Sequence, residues 1–271
     1  MKRVLRSTMA GIMVALTLVY SGSLALAIDH ASAQNKGFKS WGGPPPKTIR
    51  IGAPPRGSCF AETSNPTSEP PALKPKLLVA LAPEIDFIDK SGTPVKAPSG
   101  QTSLEHPTLW FYVPYTRSDV LTVKPEAVEL TLYVDKGDKT TSYTTRVTLP
   151  ETPGIIGVQI PPDFPALKID QWYSWSFEVK CNDPTDSDRA DQVAGLIQRV
   201  DIDPAVKKQI ETANPQQRVE LYTENGIWFD ALTALGELRR AQPIDQTLMN
   251  TWVSLLSEAD LKNIAGQPIA R

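Results

Sequence analysis

The clearest structural signal in the chain is the sequence Tyr173-Ser-Trp-Ser-Phe-Glu-Val-Lys-Cys181. Large apolar side chains and Cys181 occupy every second position, and serine, glutamate and lysine fill the positions between them. Because successive side chains of a β-strand point to opposite faces of a sheet, this alternation predicts a strand over 171–181 with one face in the core.

Similar strand-like runs lie on both sides of this segment and are separated by turn residues. They cover 77–81, 108–113, 127–134, 142–149, 155–160 and 192–202. Two of them are joined by Asp135-Lys-Gly-Asp-Lys-Thr140, in which Gly137 can adopt the positive φ of a hairpin turn. About seven strands without helices between them predict an antiparallel, immunoglobulin-like β-sandwich.

The pattern changes to a helical period after Ile202. Asp203-Pro204 is a typical helix start, and helices are predicted over 204–212, 215–224, 227–240 and 245–257, with a short one near 258–264. The predicted fold class is therefore α+β, with the strands first and a cap of about four helices last. Tyr222, Asn225-Gly226 and Ala231 resemble a single tetratricopeptide-type hairpin. One repeat cannot form a solenoid groove, so we interpret it as part of the cap and not as a peptide-binding repeat.

The N-terminus has the three parts of a secretory signal peptide. Lys2, Arg3 and Arg6 precede a largely apolar stretch over 9–27, and Ala31-Ser-Ala33 is a small-x-small cleavage site. The alternative is an uncleaved membrane anchor. The predicted organisation is a signal peptide over 1–33, a partly disordered Pro/Gly-rich leader over 34–75, the sandwich over 76–203 and the helical cap over 204–271. No transmembrane segment is predicted in the mature chain.

Two cysteines, Cys59 and Cys181, are the only ones in the chain. An exported protein with one pair of cysteines is expected to bridge them, and the bridge would close a loop of about 120 residues. The alternative is two separate buried thiols. Cleavage after Ala33 would change the net charge from −2 to about −4, with no basic stripe, so a nucleic-acid partner is not expected.

Few residues suggest catalysis. After cleavage only His106 would remain as a histidine, and no Gly-x-Ser-x-Gly motif accompanies it. Four acids could belong to a carboxylate pair: Asp86, Glu178, Asp191 and Asp230. Asp183, Asp186 and Asp188 form a weak calcium candidate in a segment that lacks the glycine and glutamate of an EF-hand and is otherwise an exposed hairpin loop. No catalytic residue and no cofactor are predicted.

Aromatic residues are the main candidates for binding. Trp110, Tyr112, Trp172 and Trp228 form the candidate binding surface, since exposed aromatic rows stack sugar rings or hold a protein partner. The competing interpretation is that Trp110 and Tyr112 are buried beneath the C-terminal helices.

Several motifs occur in an order that is similar to a known family. They are Arg56-Gly-Ser-Cys59, Leu78-Val-Ala-Leu-Ala-Pro83, Pro107-Thr-Leu-Trp-Phe-Tyr-Val-Pro114, Pro153-Gly-Ile155, Tyr173-Ser-Trp-Ser-Phe177, Cys181 and Asn225-Gly-Ile-Trp-Phe-Asp-Ala-Leu232. From about Arg56 to about Ala265 the chain resembles a family of exported cyanobacterial proteins called domain of unknown function 928. The resemblance implies an envelope or secreted protein, and it brings no catalytic residues. Both cysteines fall within the matching stretches, which supports the disulfide.

Together these features predict an exported, non-catalytic binding or structural protein of the cell envelope. The expected partner is another envelope or secreted protein, and the expected location is the periplasm or the outside of the cell. One alternative is a polysaccharide-binding module, and the other is an exported hydrolase that uses a carboxylate pair.

Overall fold

The structure is a computed structural model that describes residues 78–88, 92–114, 128–136, 139–180 and 190–270. These residues belong to one compact unit. The predicted signal peptide and leader lie outside the described residues, as do Cys59, Cys181 and the aspartate-rich segment with Asp183, Asp186 and Asp188.

The described residues form nine strands in two sheets. The strands are β1 (Val79–Ala80), β2 (Glu84–Ile88), β3 (Pro94–Thr102), β4 (Thr108–Val113), β5 (Val128–Lys136), β6 (Lys139–Arg146), β7 (Gly154–Gln159), β8 (Trp172–Lys180) and β9 (Ala190–Arg199). One sheet has three strands in the order β1-β4-β7, and the other has six in the order β2-β3-β9-β8-β5-β6.

The alternating strand β8 lies in the interior of the six-stranded sheet, between β5 and β9. Tyr173, Trp175, Phe177 and Val179 are all buried, which confirms the prediction that one face of this strand lies in the core. The ring of Phe111, from β4 in the other sheet, stacks on Phe177 with centroids 4.3 Å apart. The two sheets therefore meet through aromatic side chains that alternate on facing strands.

The six-stranded sheet is mixed, which corrects the prediction of a purely antiparallel fold. Strands β3 and β9 run parallel, with Thr102 opposite Arg199, whereas the other strand pairs of the described residues are antiparallel. The sequence patterns also missed β2 and β3 altogether. Pro94, Pro98 and Gly100 interrupt β3, and such residues ordinarily indicate a turn and not a strand.

Four α-helices follow the strands and confirm the predicted α+β class. They are α1 (Pro204–Thr212), α2 (Pro215–Glu224), α3 (Trp228–Ala241) and α4 (Gln246–Ser257), and a 3₁₀ turn covers Lys262–Ile264. Asp203 caps α1 through the backbone N–H of Ala205, as the Asp-Pro pair predicts. No helix in this part of the chain combines the length and the apolarity that crossing a bilayer requires.

Helix α3 packs on both sheets. The indole N–H of Trp228 donates to the carbonyl of Leu81 at 2.8 Å, and the Phe229 ring lies against Gly100, where an added Cβ would come within 2.6 Å of it. Gly236 makes a similar close contact with the Trp110 ring. The two glycines therefore allow a helix and a strand to approach the aromatic rings more closely than an alanine would permit.

A short C-terminal segment extends the smaller sheet beyond β7. Ile269 forms a parallel bridge with Ile155, the Ile155 N–H donates to the carbonyl of Pro268, and the Ala270 N–H donates to the carbonyl of Ile155. The segment over 268–270 therefore pairs with the backbone along the outer edge of β7.

Candidate functional site

The tryptophans of the candidate binding surface are buried. Trp110 and Trp228 are each 1% exposed and Trp172 is 9% exposed, while Tyr112 is half-buried against the main core. The prediction that these aromatic residues form an exposed surface is therefore wrong for the three tryptophans. The physical reason is that α3 covers Trp110, and that Trp172 joins a second apolar cluster with Phe87, Ala97 and Leu196.

The single-residue catalytic candidates are scattered through the fold. His106 lies in the loop before β4, where a ring nitrogen is 3.0 Å from the carbonyl oxygen of Phe164. Asp86 is exposed on β2 and 3.7 Å from the Lys96 ammonium. Glu178 is half-buried on β8, and Asp191 is buried on β9.

Asp230 is different from these acids because it is buried and contacts several donors. It lies in the first turn of α3, where a negative charge is favoured by the helix dipole. The Thr102 hydroxyl donates to Oδ1 at 2.5 Å, and the hydroxyl and the backbone N–H of Ser103 donate to Oδ2 at 2.5 and 3.0 Å. Asp230 thus links the start of α3 to the end of β3.

Burial affects the acid–base properties of this region. Desolvation raises the pKa of the Asp230 carboxyl, although the three donors from Thr102 and Ser103 act in the opposite direction. Desolvation also raises the pKa of the Tyr222 hydroxyl on α2, and the nearby Asp230 charge adds to that effect. The carboxylate therefore affects the electrostatics of a neighbouring side chain as well as the end of β3.

A pocket of about 310 Å³ lies beside this cluster. Strands β3 and β9 are parallel and end at the same edge of the sheet, so the residues that follow them come together there. Crevices at the carboxyl ends of parallel strands are common binding sites. We call this space the junction pocket; its lining includes Ser103, Leu104, Ile169, Arg199, Lys207 and Tyr222.

Arg199 lies on the polar side of the junction pocket, where hydrogen bonds fix its side chain. Its Nε donates to the carbonyl of Ser103 at 3.1 Å, and one terminal nitrogen donates to the carbonyl of Leu167 at 2.8 Å and to a carboxylate oxygen of Glu105 at 3.2 Å. The guanidinium is therefore fixed by three acceptors from two loops. Lys207, on α1, is exposed beside it.

Sequence reasoning identified only part of this site. Asp230 was one of four acid candidates, but Ser103 and Arg199 were not singled out, and Tyr222 was noted only as part of the tetratricopeptide-type hairpin. Their proximity depends on the parallel pairing of β3 with β9, which no local pattern in the sequence indicates. Among the described residues, no cluster of three or more His, Cys, Asp or Glu side chains could hold a metal ion.

Comparison with known proteins identifies a family. No curated protein matches the chain. The model of the family described as Domain of Unknown Function (DUF928) matches residues 52–269, which include all of the strands and helices described above. Because this match covers most of the sequence, the chain belongs to the DUF928 family.

Proposed function

We propose that this protein is an exported, non-catalytic binding protein of the cell envelope, and that it recognises a protein partner through the junction pocket. Four large apolar side chains of the described residues are exposed, and two of them, Leu104 and Ile169, lie at this pocket. Each is 45% exposed. This coincidence is the observation that supports the proposal, because exposed apolar side chains beside a concave site are typical of protein interfaces.

The chemistry of the lining fits an apolar side chain from a partner. Leu104, Ile169 and Ile210 supply apolar contacts, while Arg199 and Lys207 lie on the polar side. An apolar centre with a charged rim is the common arrangement of protein–protein interfaces. The partner would insert an apolar side chain between Leu104 and Ile169 and form hydrogen bonds at the rim.

The two alternatives have less support. Sugar binding by stacked aromatic rings needs exposed rings, and Trp110, Trp172 and Trp228 are buried. A hydrolase that used Asp230 in a carboxylate pair would need its carboxylate free, but both oxygens already accept hydrogen bonds from Thr102 and Ser103. The geometry therefore favours binding over either alternative.

The proposal includes three further features. Two of them concern segments outside the described residues, and the third is a specific arrangement of the two sheets. These are export with cleavage near Ala33, a bridge between Cys59 and Cys181, and an immunoglobulin-like sandwich as the scaffold. The intact mass of the exported protein should correspond to a chain that begins at Gln34. It should be lower by the mass of two hydrogens, which the disulfide removes. A free-thiol assay that titrates both cysteines in the denatured, unreduced protein would refute the bridge.

Photo-crosslinking tests the partner and its location. We would replace Leu104 with p-benzoylphenylalanine in the native cell envelope, and Ile88 in a matched control, since Ile88 is also 45% exposed but is not among the residues that line the junction pocket. We expect one protein to be crosslinked from position 104 and not from position 88. Equal labelling from both positions would contradict the proposal.

A second variant tests whether the contact matters for affinity. Changing Leu104 and Ile169 together to serine should weaken binding of the crosslinked partner, measured with both proteins purified, by about tenfold or more. The Ile88→Ser variant should bind as the wild type does. A double variant with unchanged affinity would place the interface elsewhere.

A further inference from the structure

The outer edge of β6 (Lys139–Arg146) is a surface of the molecule that the junction pocket does not include. β6 ends the six-stranded sheet, and among the described residues no strand pairs with its outer side. Its inner side pairs with β5 over all 8 of its residues without a bulge. The edge is therefore regular, and the backbone groups of such an edge can hydrogen-bond with another extended chain.

The other strands that end a sheet differ from β6 in ways that discourage pairing. β1 has only 2 residues, and the segment over 268–270 bonds to β7 at Ile155. β2 contains Glu84 and Asp86 and directly follows Pro83. Short length, charged residues, proline and a covering segment all protect sheet edges against other chains. The sequence of β6 has neither a charge nor a proline over 140–145, so it lacks two of these forms of protection.

The backbone of β6 presents every second residue to the outer side. The N–H of Val147, the residue after β6, donates to the carbonyl of Val128 at 2.9 Å, so this position points to β5. Because backbone groups alternate in direction along an antiparallel strand, positions 145, 143 and 141 also point to β5. The N–H and C=O groups at 140, 142, 144 and 146 therefore point away from it, and Ser142 and Thr144 are exposed.

The two faces of β6 restrict how a second strand can pair with it. Tyr143 lies opposite the buried Leu132 of β5, and its ring contacts Phe164 with centroids 5.7 Å apart, whereas Ser142 and Thr144 lie on the solvent face. Residues opposite each other in an antiparallel pair lie on the same face of the sheet. A symmetric pair of strands therefore needs a two-fold axis at which one residue faces its own copy.

We propose that two copies of this protein associate through β6, as antiparallel strands centred on Tyr143, and extend the six-stranded sheet across both copies. In this register each outward position over 140–146 faces an outward position of the second copy, and about eight backbone hydrogen bonds join the two strands. No other centre pairs as many outward positions within β6. The dimer uses the same surface of both copies, which is the common arrangement of symmetric dimers.

The side chains of β6 suit this register. Ser142 lies opposite Thr144 of the second copy on the solvent face, and hydroxyl pairs of this kind stabilise neighbouring strands. Thr144 already makes such a pair within one copy, with the Thr131 hydroxyl of β5 at 3.0 Å. Arg146 lies opposite Thr140 of the second copy, so like charges do not face each other over 140–146. The strand therefore complements a second copy of itself.

Sedimentation velocity tests the association. The protein would be purified in the form that the cell produces and measured from about 1 to 200 µM, which spans the dissociation of weak and moderately tight dimers. We expect the mass of the sedimenting species to rise with concentration to that of a dimer. A wild-type protein that stays monomeric over this range would overturn the proposal.

Two double variants at the same exposed positions test the register. In Ser142→Lys/Thr144→Lys each lysine faces a lysine of the second copy, and in Ser142→Glu/Thr144→Lys each glutamate faces a lysine. Like charges directly opposite destabilise paired strands, and opposite charges stabilise them. We expect the dissociation constant of the first variant to exceed that of the second by about tenfold or more, with both folded by circular dichroism. Equal dissociation constants would contradict this register and with it the proposal.

Amide hydrogen exchange distinguishes a second copy from another segment of the same chain. The N–H groups of Ser142 and Thr144 should exchange rapidly in dilute protein and slowly at high concentration, where the dimer forms. The N–H of Tyr143 points to β5 and should be protected in both conditions. Slow exchange of Ser142 and Thr144 in a monomeric protein would show that another part of the chain covers this edge, and would overturn the proposal.

Discussion

Each end of helix α3 buries a charged side chain, but the two side chains differ in their hydrogen bonding. Asp230, in the first turn, accepts three hydrogen bonds from Thr102 and Ser103. Arg239, in the last turn and about 14 Å away along the helix axis, has a guanidinium nitrogen with no acceptor among the described residues. Both charges lie at the end of the helix whose dipole favours them.

The difference indicates which of the two side chains the fold itself requires. A buried ion with all of its partners inside the protein holds elements together, and its loss leaves those partners unpaired. A buried ion with an unused donor adds little to the stability of the fold. The four predictions below test this contrast, in order of decreasing effect.

Asp230→Ala should produce the largest loss of stability. The substitution leaves the hydroxyl groups of Thr102 and Ser103 and the Ser103 N–H without their acceptor, so we expect the free energy of unfolding to fall by about 2–4 kcal/mol. Urea denaturation measures the change. Asp163→Ala, at an exposed turn, should change stability by less than about 0.5 kcal/mol. A loss for Asp230→Ala no larger than for this control would contradict a structural role.

Gly236→Ala tests how α3 is held between its two charged ends. An added Cβ would come within 2.5 Å of the Trp110 ring. Overpacking costs about 1–3 kcal/mol and the better helix propensity of alanine returns up to about 1 kcal/mol, so we expect a net loss of about 1–2 kcal/mol. Gly266→Ala is the control, because an added Cβ there meets nothing within 4 Å. Thermal unfolding of the two variants measures the difference. Equal stability of both variants would contradict the prediction.

Arg239→Met should have a small effect of the opposite sign. One nitrogen of this buried guanidinium has no acceptor among the described residues, and an apolar side chain of similar length removes its desolvation penalty, so we expect a gain of up to about 1 kcal/mol in urea denaturation. Arg218→Met should be neutral. A loss of several kcal/mol at Arg239 would show that the fold depends on this charge and would remove the contrast with Asp230.

The smallest of the four effects should be a pH-dependent difference in the free energy of unfolding between wild type and Asp230→Asn. Since the pKa of Asp230 is raised in the folded state above 3.8, the folded protein binds this proton more tightly than the unfolded chain does. The stabilisation is complete below pH 3.8 and is lost as the pH rises through the folded pKa. The stability of wild type relative to Asp230→Asn should therefore decrease with rising pH. An increase would show that the three hydrogen bonds outweigh burial.

Local patterns predicted the parts of this fold that depend on local chemistry. The alternation in β8 and the Asp203-Pro204 helix start were both interpreted correctly, since each reflects backbone geometry over a few residues. Strand β3 was missed because Gly100 is required by the Phe229 ring, which lies far away in sequence. In such a strand tertiary contact overrides local propensity.

The candidate site was harder to predict than the fold. Tryptophans were chosen as binding residues for their chemistry, but Trp110 is covered by a helix that approaches closely at Gly236. Arg239 carries no distinguishing pattern, because an arginine in the last turn of a helix ordinarily interacts with the dipole at the surface. Its burial and missing acceptor are properties of three-dimensional packing and have no signature in the sequence.

The segment over 268–270 determines whether β7 can recruit another chain. Strand β7 ends its sheet, and an uncovered edge of this kind offers backbone donors and acceptors to any extended polypeptide. The hydrogen bonds of Ile155 with Pro268 and Ala270 occupy that edge at the start of β7. A clipped form that has lost these residues would expose the backbone of Ile155 and be prone to pair edge to edge with a second clipped copy. Proteolytic loss of this segment would therefore favour association between copies of the chain.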